Sequence, residues 1–330
     1  MSVSTPTPLR PVRVRVPAST SNLGSGFDTV GLALDRYLTA SYEPGPGPLR
    51  VERAGTIAGL ELEPARDPLV HAFATRLGAE TGGLLRVEST IPVARGLGSS
   101  AAAVVAGLVL ADATRGLGPR REEWLQAATA LEGHPDNASP AIHGGLVAAV
   151  AGARTVAFRL PLDPRIGFAF AAPGVEVSTP EARAALPDRV AHGAATRSLG
   201  RLAALLQGFA TGDPSLLALG FEDELHIPYR LPLIPGAAAA IEEARAAGAW
   251  AATISGSGSG LIAVCSPDTA DRVAAAMADA FRREAGAEGV TAFAATPDLE
   301  GVRVEEVDAG TEEVATRAEE AGAGLEEVDA

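Results

Sequence analysis

Ile91-Pro92-Val93-Ala94-Arg95-Gly96-Leu97-Gly98-Ser99-Ser100-Ala101-Ala102-Ala103 joins the end of an apolar strand to an alanine-rich helix through a turn of small residues. Gly96 and Gly98 remove Cβ where a backbone must approach a ligand closely, and Ser99 and Ser100 are suited to cap a helix beginning near Ala101. The unpaired N–H groups and the positive end of such a helix face an anion. The stretch reads as a cradle for a triphosphate. Taken alone, it also fits an ordinary strand-to-helix turn.

The familiar phosphate loop, G-x-x-x-x-G-K-[ST], is absent, because all 27 basic residues are arginine. The same absence excludes Schiff-base and pyridoxal chemistry, which need a lysine amine. A dinucleotide fingerprint calls for an acidic residue about 20 positions on, at a strand end, where this chain continues as an alanine-rich helical run.

With 330 residues, 47% of them hydrophobic, the chain is long enough for two units packed around a cleft. No 18-residue apolar run is free of Gly, Pro or charge, and residues 1–11 have no apolar centre, so a cytoplasmic protein with no membrane span is expected. The single Cys265, in apolar surroundings, excludes a disulfide framework and reads as a buried strand residue. The net charge of −14 argues against nucleic acid as a partner. Residues 305–330 hold ten acids and one arginine and repeat Glu-Glu-Val-Asp-Ala, which reads as a solvated acidic tail.

Hydrophobic patterning gives strands at 12–16, 84–88, 146–150 and 166–171 and near 253–264, with a polar loop at 17–26, a further apolar segment at 30–38 and a turn at 44–48. Helices are expected at 68–80, 101–113, 121–131, 201–210, 237–247 and 269–284. The architecture is α+β in two units, 1–163 and 164–304, with the boundary in the proline-bracketed segment 162–165 and ligands in the cleft between them.

Five further stretches stand out. The loop Asn22-Leu23-Gly24-Ser25-Gly26-Phe27-Asp28 offers an amide and a carboxylate, a set suited to a small ligand bearing an amine. Glu132-Gly133-His134-Pro135-Asp136-Asn137 ends a helix, where a carboxylate is favourable only beside a cation such as Mg²⁺. Zinc on His134 is excluded by the lack of a second ligand at suitable spacing. Ser178-Thr179-Pro180-Glu181-Ala182-Arg183 and Asp223-Glu224-Leu225-His226-Ile227-Pro228-Tyr229-Arg230 each supply an arginine, the natural clamp for a carboxylate. Ser255-Gly256-Ser257-Gly258-Ser259-Gly260 is a turn between apolar strands.

Over roughly residues 11–304 these stretches resemble, in order, the motifs of the GHMP small-molecule kinases, which bind ATP without a P-loop lysine, and three of them resemble the homoserine-kinase form. The resemblance implies a two-domain kinase with its active site between the domains. It assigns Pro92, Val93, Ala94, Arg95, Gly96, Leu97, Gly98, Ser99, Ser100, Ala101 and Ala102 to ATP, and Ser100 and Glu132 to Mg²⁺. Asn22, Asp28, His134, Thr179, Arg183 and Arg230 fall to the amino acid L-homoserine, phosphorylated on its side-chain hydroxyl for threonine biosynthesis, and a homodimer is expected from the family.

Asn137 stands seven residues before Gly144, where mevalonate kinases place a catalytic Asp. An amide cannot act as a base at pH 7, so transfer would rest on positioning and charge stabilisation at Asn137, Glu132 and Ser100, with Asp136 as the remaining candidate base. The chain departs from the third family motif at Ser259 and Gly260, which replace a proline and a hydroxyl residue. Two alternatives stay open: another kinase of the superfamily, of mevalonate or shikimate type, and a catalytically silent sensor.

Overall fold

Val12, Val14 and Val16 are buried while Arg13 is exposed and Arg15 lies over the Tyr37 ring, the alternation that a half-buried strand imposes. In the computed structural model, which describes residues 8–78 and 81–305, this strand does not stop at Val16 but continues as β1 over Val12–Ser21. The expected polar loop is therefore half strand. Ser19, Thr20 and Ser21 are fully buried in it, and each is within hydrogen-bonding reach of a residue far along the chain.

β1 pairs antiparallel with β2 (Val30–Pro44), and β2 pairs with β4 (Gly83–Ser89), which in turn carries β3 (Leu49–Gly55) parallel at the edge. β5 (Leu146–Val150) and β6 (Val156–Arg159) extend the other end of β2. Helices α1 (Pro68–Leu77) and α2 (Ser99–Thr114) pack on each other, followed by α3 (Arg121–Glu132) and the short α4 (Ala138–His143). α2 is buried on almost every side, as its nearly uniform apolar sequence requires.

The second half forms a four-stranded antiparallel sheet in the order Thr291–Ala295 (β10), Gly167–Ala172 (β7), Leu261–Cys265 (β9) and Ala251–Ile254 (β8). Helices α9 (Ala237–Ala246) and α10 (Ala270–Ala285) cover one of its faces. Along β7, Phe168, Phe170 and Ala172 enter one apolar cluster and Ala169 and Ala171 the other. The cluster holding the two phenylalanines also contains Val16, Leu32 and Leu205, so the two halves share a core. Between β7 and β8 the chain forms α5 (Thr179–Ala184), α6 (His192–Thr211), α7 (Pro214–Phe221) and α8 (Ile227–Arg230).

The last strand, β11 (Arg303–Glu305), returns to the first sheet and pairs with β1, with Arg13 beside Glu305. Residues 303 and 304 thus lie in the first sheet, although the expected division assigned them to the second unit, and Glu305 is strand rather than tail. The remainder of the acidic extension lies outside the described residues. Among the described residues, no helix is long and apolar enough to cross a membrane.

Candidate active site

The turn before α2 is set by backbone conformation. Ala94, Gly96 and Gly98 all have positive φ (54°, 73° and 63°), and Gly98, not a serine, is the residue preceding the helix. Ser99 and Ser100 are its first two residues and do not cap it; the Ser100 hydroxyl turns away to Glu132. A Cβ on Gly98 would collide with the Ser19 hydroxyl, and one on Gly96 with the Ser255 carbonyl oxygen. Both glycines are therefore required by close approach.

This turn and the start of α2 line a cavity of about 330 Å³. Its lining includes the apolar side chains of Leu38, Ile57, Leu60, Leu69 and Val87, the charged Arg53 and Asp67, and the polar Ser99, Ser100, Glu132, His134, Asn137, Thr179 and Ser257. The expected nucleotide residues from Val93 to Ala101 all line it, whereas Pro92 and Ala102 do not. Ala102 is fully buried in the core and donates its N–H to Gly98 within the helix. The Arg95 guanidinium points to the second half of the chain, donating to the Gly174 carbonyl at 3.0 Å and lying 3.3 Å from Glu176.

Glu132 closes α3, and Gly133 follows with a φ of 83°. Its carboxylate accepts a 2.8 Å hydrogen bond from Ser100, and burial lifts its carboxyl above the usual glutamate value. A half-buried carboxylate and a hydroxyl, at the negative end of one helix and the positive end of another, form a hard oxygen pair suited to Mg²⁺.

His134 Nδ1 lies 2.6 Å from Asp136, and that hydrogen bond raises the histidine's pKa against the effect of burial. Burial alone would raise Asp136, but the hydrogen bond and charge of His134, with Ser21 and Arg183, hold it below the usual carboxylate range. Asn137 has both amide atoms engaged on β1, Oδ1 accepting from Ser19 at 3.0 Å and Nδ2 donating to Ser21 at 2.9 Å.

The expected amino-acid ligands converge from both halves. Arg183 makes a bidentate pair with Asp28, at 2.9 and 3.0 Å. Asn22 accepts the Asp28 N–H at 2.8 Å and donates to the Gly256 carbonyl at 2.8 Å, which fixes the loop to the second half. Thr179 reaches Ser257 at 3.4 Å. Arg230 is 2% exposed; its Nε donates to Ala182, its guanidinium lies over Phe27, and its Nη1 has no partner. Burial and then the charge of Arg183 lower its pKa, an environment that calls for an anion.

Residues 67–145 match the GHMP kinases N terminal domain and residues 197–283 the GHMP kinases C terminal. A homoserine kinase of Moorella thermoacetica is 43% identical over 282 residues, 82% of this chain and 93% of that protein. The chain belongs to the GHMP kinases, with the homoserine kinases. A homoserine kinase of Synechococcus sp. (strain RCC307) is 40% identical over 83% of this GHMP kinase and 90% of its own length. The crystal structure of homoserine kinase from Cytophaga hutchinsonii superposes on this kinase with a TM-score of 0.78 at 26% identity, covering 92% of this chain and 99% of that one.

Several supporting residues of this GHMP kinase were not evident in the sequence. His226 is fully buried, stacks on Phe27 with ring centroids 4.7 Å apart, and has Nε2 3.0 Å from the Gly24 carbonyl. It stands one helical turn before Arg230, a spacing that puts both on one side and was the available signal. Ser19, Ser21 and Ser255 form a hydroxyl layer under the glycine turn, Ser255 donating to the Gly96 carbonyl at 2.6 Å.

Proposed function

We propose that this GHMP kinase transfers the γ-phosphoryl group of ATP to the side-chain hydroxyl of L-homoserine, giving O-phospho-L-homoserine. The observation that carries the reading is the Asp28–Arg183–Arg230 cluster, whose charges complement an amino-acid zwitterion, beside the cavity of the glycine turn. Asp28 takes the ammonium, and Arg183 and Arg230 grip the carboxylate.

Glu132 and Ser100 would hold a divalent metal, which would supply positive charge against the phosphates. The glycine turn and the N–H groups opening α2 hold the triphosphate, and the apolar side chains of the cavity lining take the base. The hydroxyl oxygen attacks the γ-phosphorus as the bond from phosphorus to the bridging oxygen breaks, ADP leaves with the electron pair, and the hydroxyl proton passes to the transferred phosphoryl group and from there to water. Asn137, tied to Ser19 and Ser21, supports the loop and takes no proton. Positioning and electrostatics suffice for so loose a transition state.

Mevalonate and shikimate carry a carboxylate but no ammonium for Asp28 to receive, so its charge would add nothing to their binding beyond the pair with Arg183, which disfavours those substrates. The Ser100–Glu132 pair disfavours a silent sensor. The test is ADP release in the presence of L-homoserine, L-serine, mevalonate or shikimate. Turnover fastest with homoserine supports the reading, and preference for an amine-free acid defeats it.

A further inference from the structure

Arg95 sits inside the phosphate loop between Ala94 and Gly96, yet its side chain, only 14% exposed, leaves the loop for the second half of the chain. Nη2 donates to the Gly174 carbonyl at 3.0 Å, and Nη1 donates to the Ala94 carbonyl at 3.2 Å and lies 3.3 Å from Glu176. Gly174 and Glu176 belong to the irregular stretch 173–178 that leads from β7 into α5. α5 begins with Thr179 and carries Arg183.

The same stretch is held elsewhere too: Gly174 packs closely on Glu288, and Val177 is buried in the second apolar cluster. Ser259 donates to the Val175 carbonyl at 2.5 Å, and its turn is fastened to the phosphate loop through Ser255, which donates to Gly96 at 2.6 Å. Gly260 packs so close to the Arg95 carbonyl that a Cβ there would collide. The contacts close a ring: Gly96 to Ser255, Ser259 to Val175, and Gly174 back to Arg95. Arg95 is the link that joins the loop directly to the arm bearing the amino-acid ligands.

We propose that Arg95 is a positioning residue that couples the nucleotide and amino-acid sites, so that ATP and homoserine bind cooperatively. A ligand that fixes Gly96 to Gly98 fixes the Arg95 backbone, hence Gly174 and the origin of α5. Coupling between two sites is reciprocal, so homoserine tightens the nucleotide by the factor by which the nucleotide tightens homoserine. The Glu176 carboxylate is 65% exposed and contributes little, and the contact with the Gly174 carbonyl carries the link. This inference rests on the substrate reading above.

The experiment is calorimetric titration of the whole chain with a non-hydrolysable ATP analogue plus Mg²⁺, with and without saturating L-homoserine, and the converse titration. The wild type is expected to give an equal tightening of about fivefold or more in both directions. Arg95→Met, which keeps length and loses the donors, brings the ratio to about one and lowers kcat, while Glu176→Gln keeps the wild-type ratio. A simple loss of stability would lower the melting temperature and leave the ratio alone. If Arg95→Met does not fold, Arg95→Lys, with one point donor in place of the fork, is read for a reduced ratio. An Arg95 variant that keeps the wild-type ratio, or a wild type with a ratio of one, overturns the proposal. Wild-type turnover of homoserine is measured first; a wild type that neither binds nor phosphorylates homoserine defeats the substrate reading instead.

Discussion

Arg183 faces Asp28 in a two-point pair, Nη2 to Oδ1 at 2.9 Å and Nη1 to Oδ2 at 3.0 Å, joining α5 of the second half to the loop after β1. Each partner offers the charge that an amino acid's ammonium or carboxylate also offers. Asp28→Asn and Arg183→Gln are each predicted to raise KM for homoserine about 10- to 100-fold, the effect of a hydrogen bond to a charged group, with KM for ATP within about threefold of wild type. Steady-state kinetics with each substrate varied in turn checks this. A matching rise in KM for ATP would place the pair outside the amino-acid site.

Ser100 and Glu132 meet at 2.8 Å. On the proposed assignment of Glu132 to Mg²⁺, Glu132→Gln is predicted to reduce kcat by about 10²–10³ and to raise the Mg²⁺ concentration needed for half-maximal rate. A metal titration that superposes on the wild type would contradict the assignment.

Asn137 cannot be converted into a working base by changing its chemistry alone. Replacing it with Asp removes the donor that Ser21 accepts from and sets a charge beside Ser19, in a place only 9% exposed. The predicted outcome is a loss of about 1–3 kcal/mol in stability with no gain in kcat. A faster enzyme with a new ionisation in its rate profile would mean that the position does accept the proton.

Asp112 is buried on α2 and accepts hydrogen bonds from Arg76 Nε and Nη2, both at 2.8 Å, and from Trp124 Nε1 at 2.9 Å. Burial alone would raise its carboxyl, but the Arg76 and Trp124 bonds hold it below the usual aspartate value. Its folded pKa is thus depressed, so its contribution is present above the unfolded value of about 3.9 and is lost as pH falls through the folded one. Asp112→Leu is predicted to cost towards the lower end of about 3–5 kcal/mol at pH 7, because Arg76 can partly rehydrate. It also flattens the loss of stability in acid. Denaturant melts across that acid range decide the matter, and an unchanged slope would show that Asp112 does not titrate as described.

Much of this organisation was legible in the sequence because its signals are local. Helix α1 is announced by Asp67, which caps Leu69 and Val70, and by Pro68 behind it. The glycines at 96 and 98 mark close approach because only small residues fit there. The polar half of β1 was hidden for the opposite reason. Ser19, Thr20 and Ser21 resemble a loop, and the partners that permit their burial, Asn137 and Ser255, are more than 100 residues away. β6, an edge strand with Val156 and Phe158 exposed, lacks the buried alternation that identifies a strand, and α8 has too few residues for a helical period. Among the site residues, types and motif membership were readable, whereas the direction of Arg95 depended on contacts across the fold.

Phosphoryl transfer to homoserine can be read by phosphorus NMR of a reaction containing the wild-type chain, ATP, Mg²⁺ and L-homoserine, run beside Glu132→Gln. A phosphate monoester on the homoserine hydroxyl is expected, formed with ADP in equal amounts and nearly absent from the variant. ATP that remains intact in the wild-type reaction, although the protein binds it, would contradict the kinase reading and favour a ligand sensor.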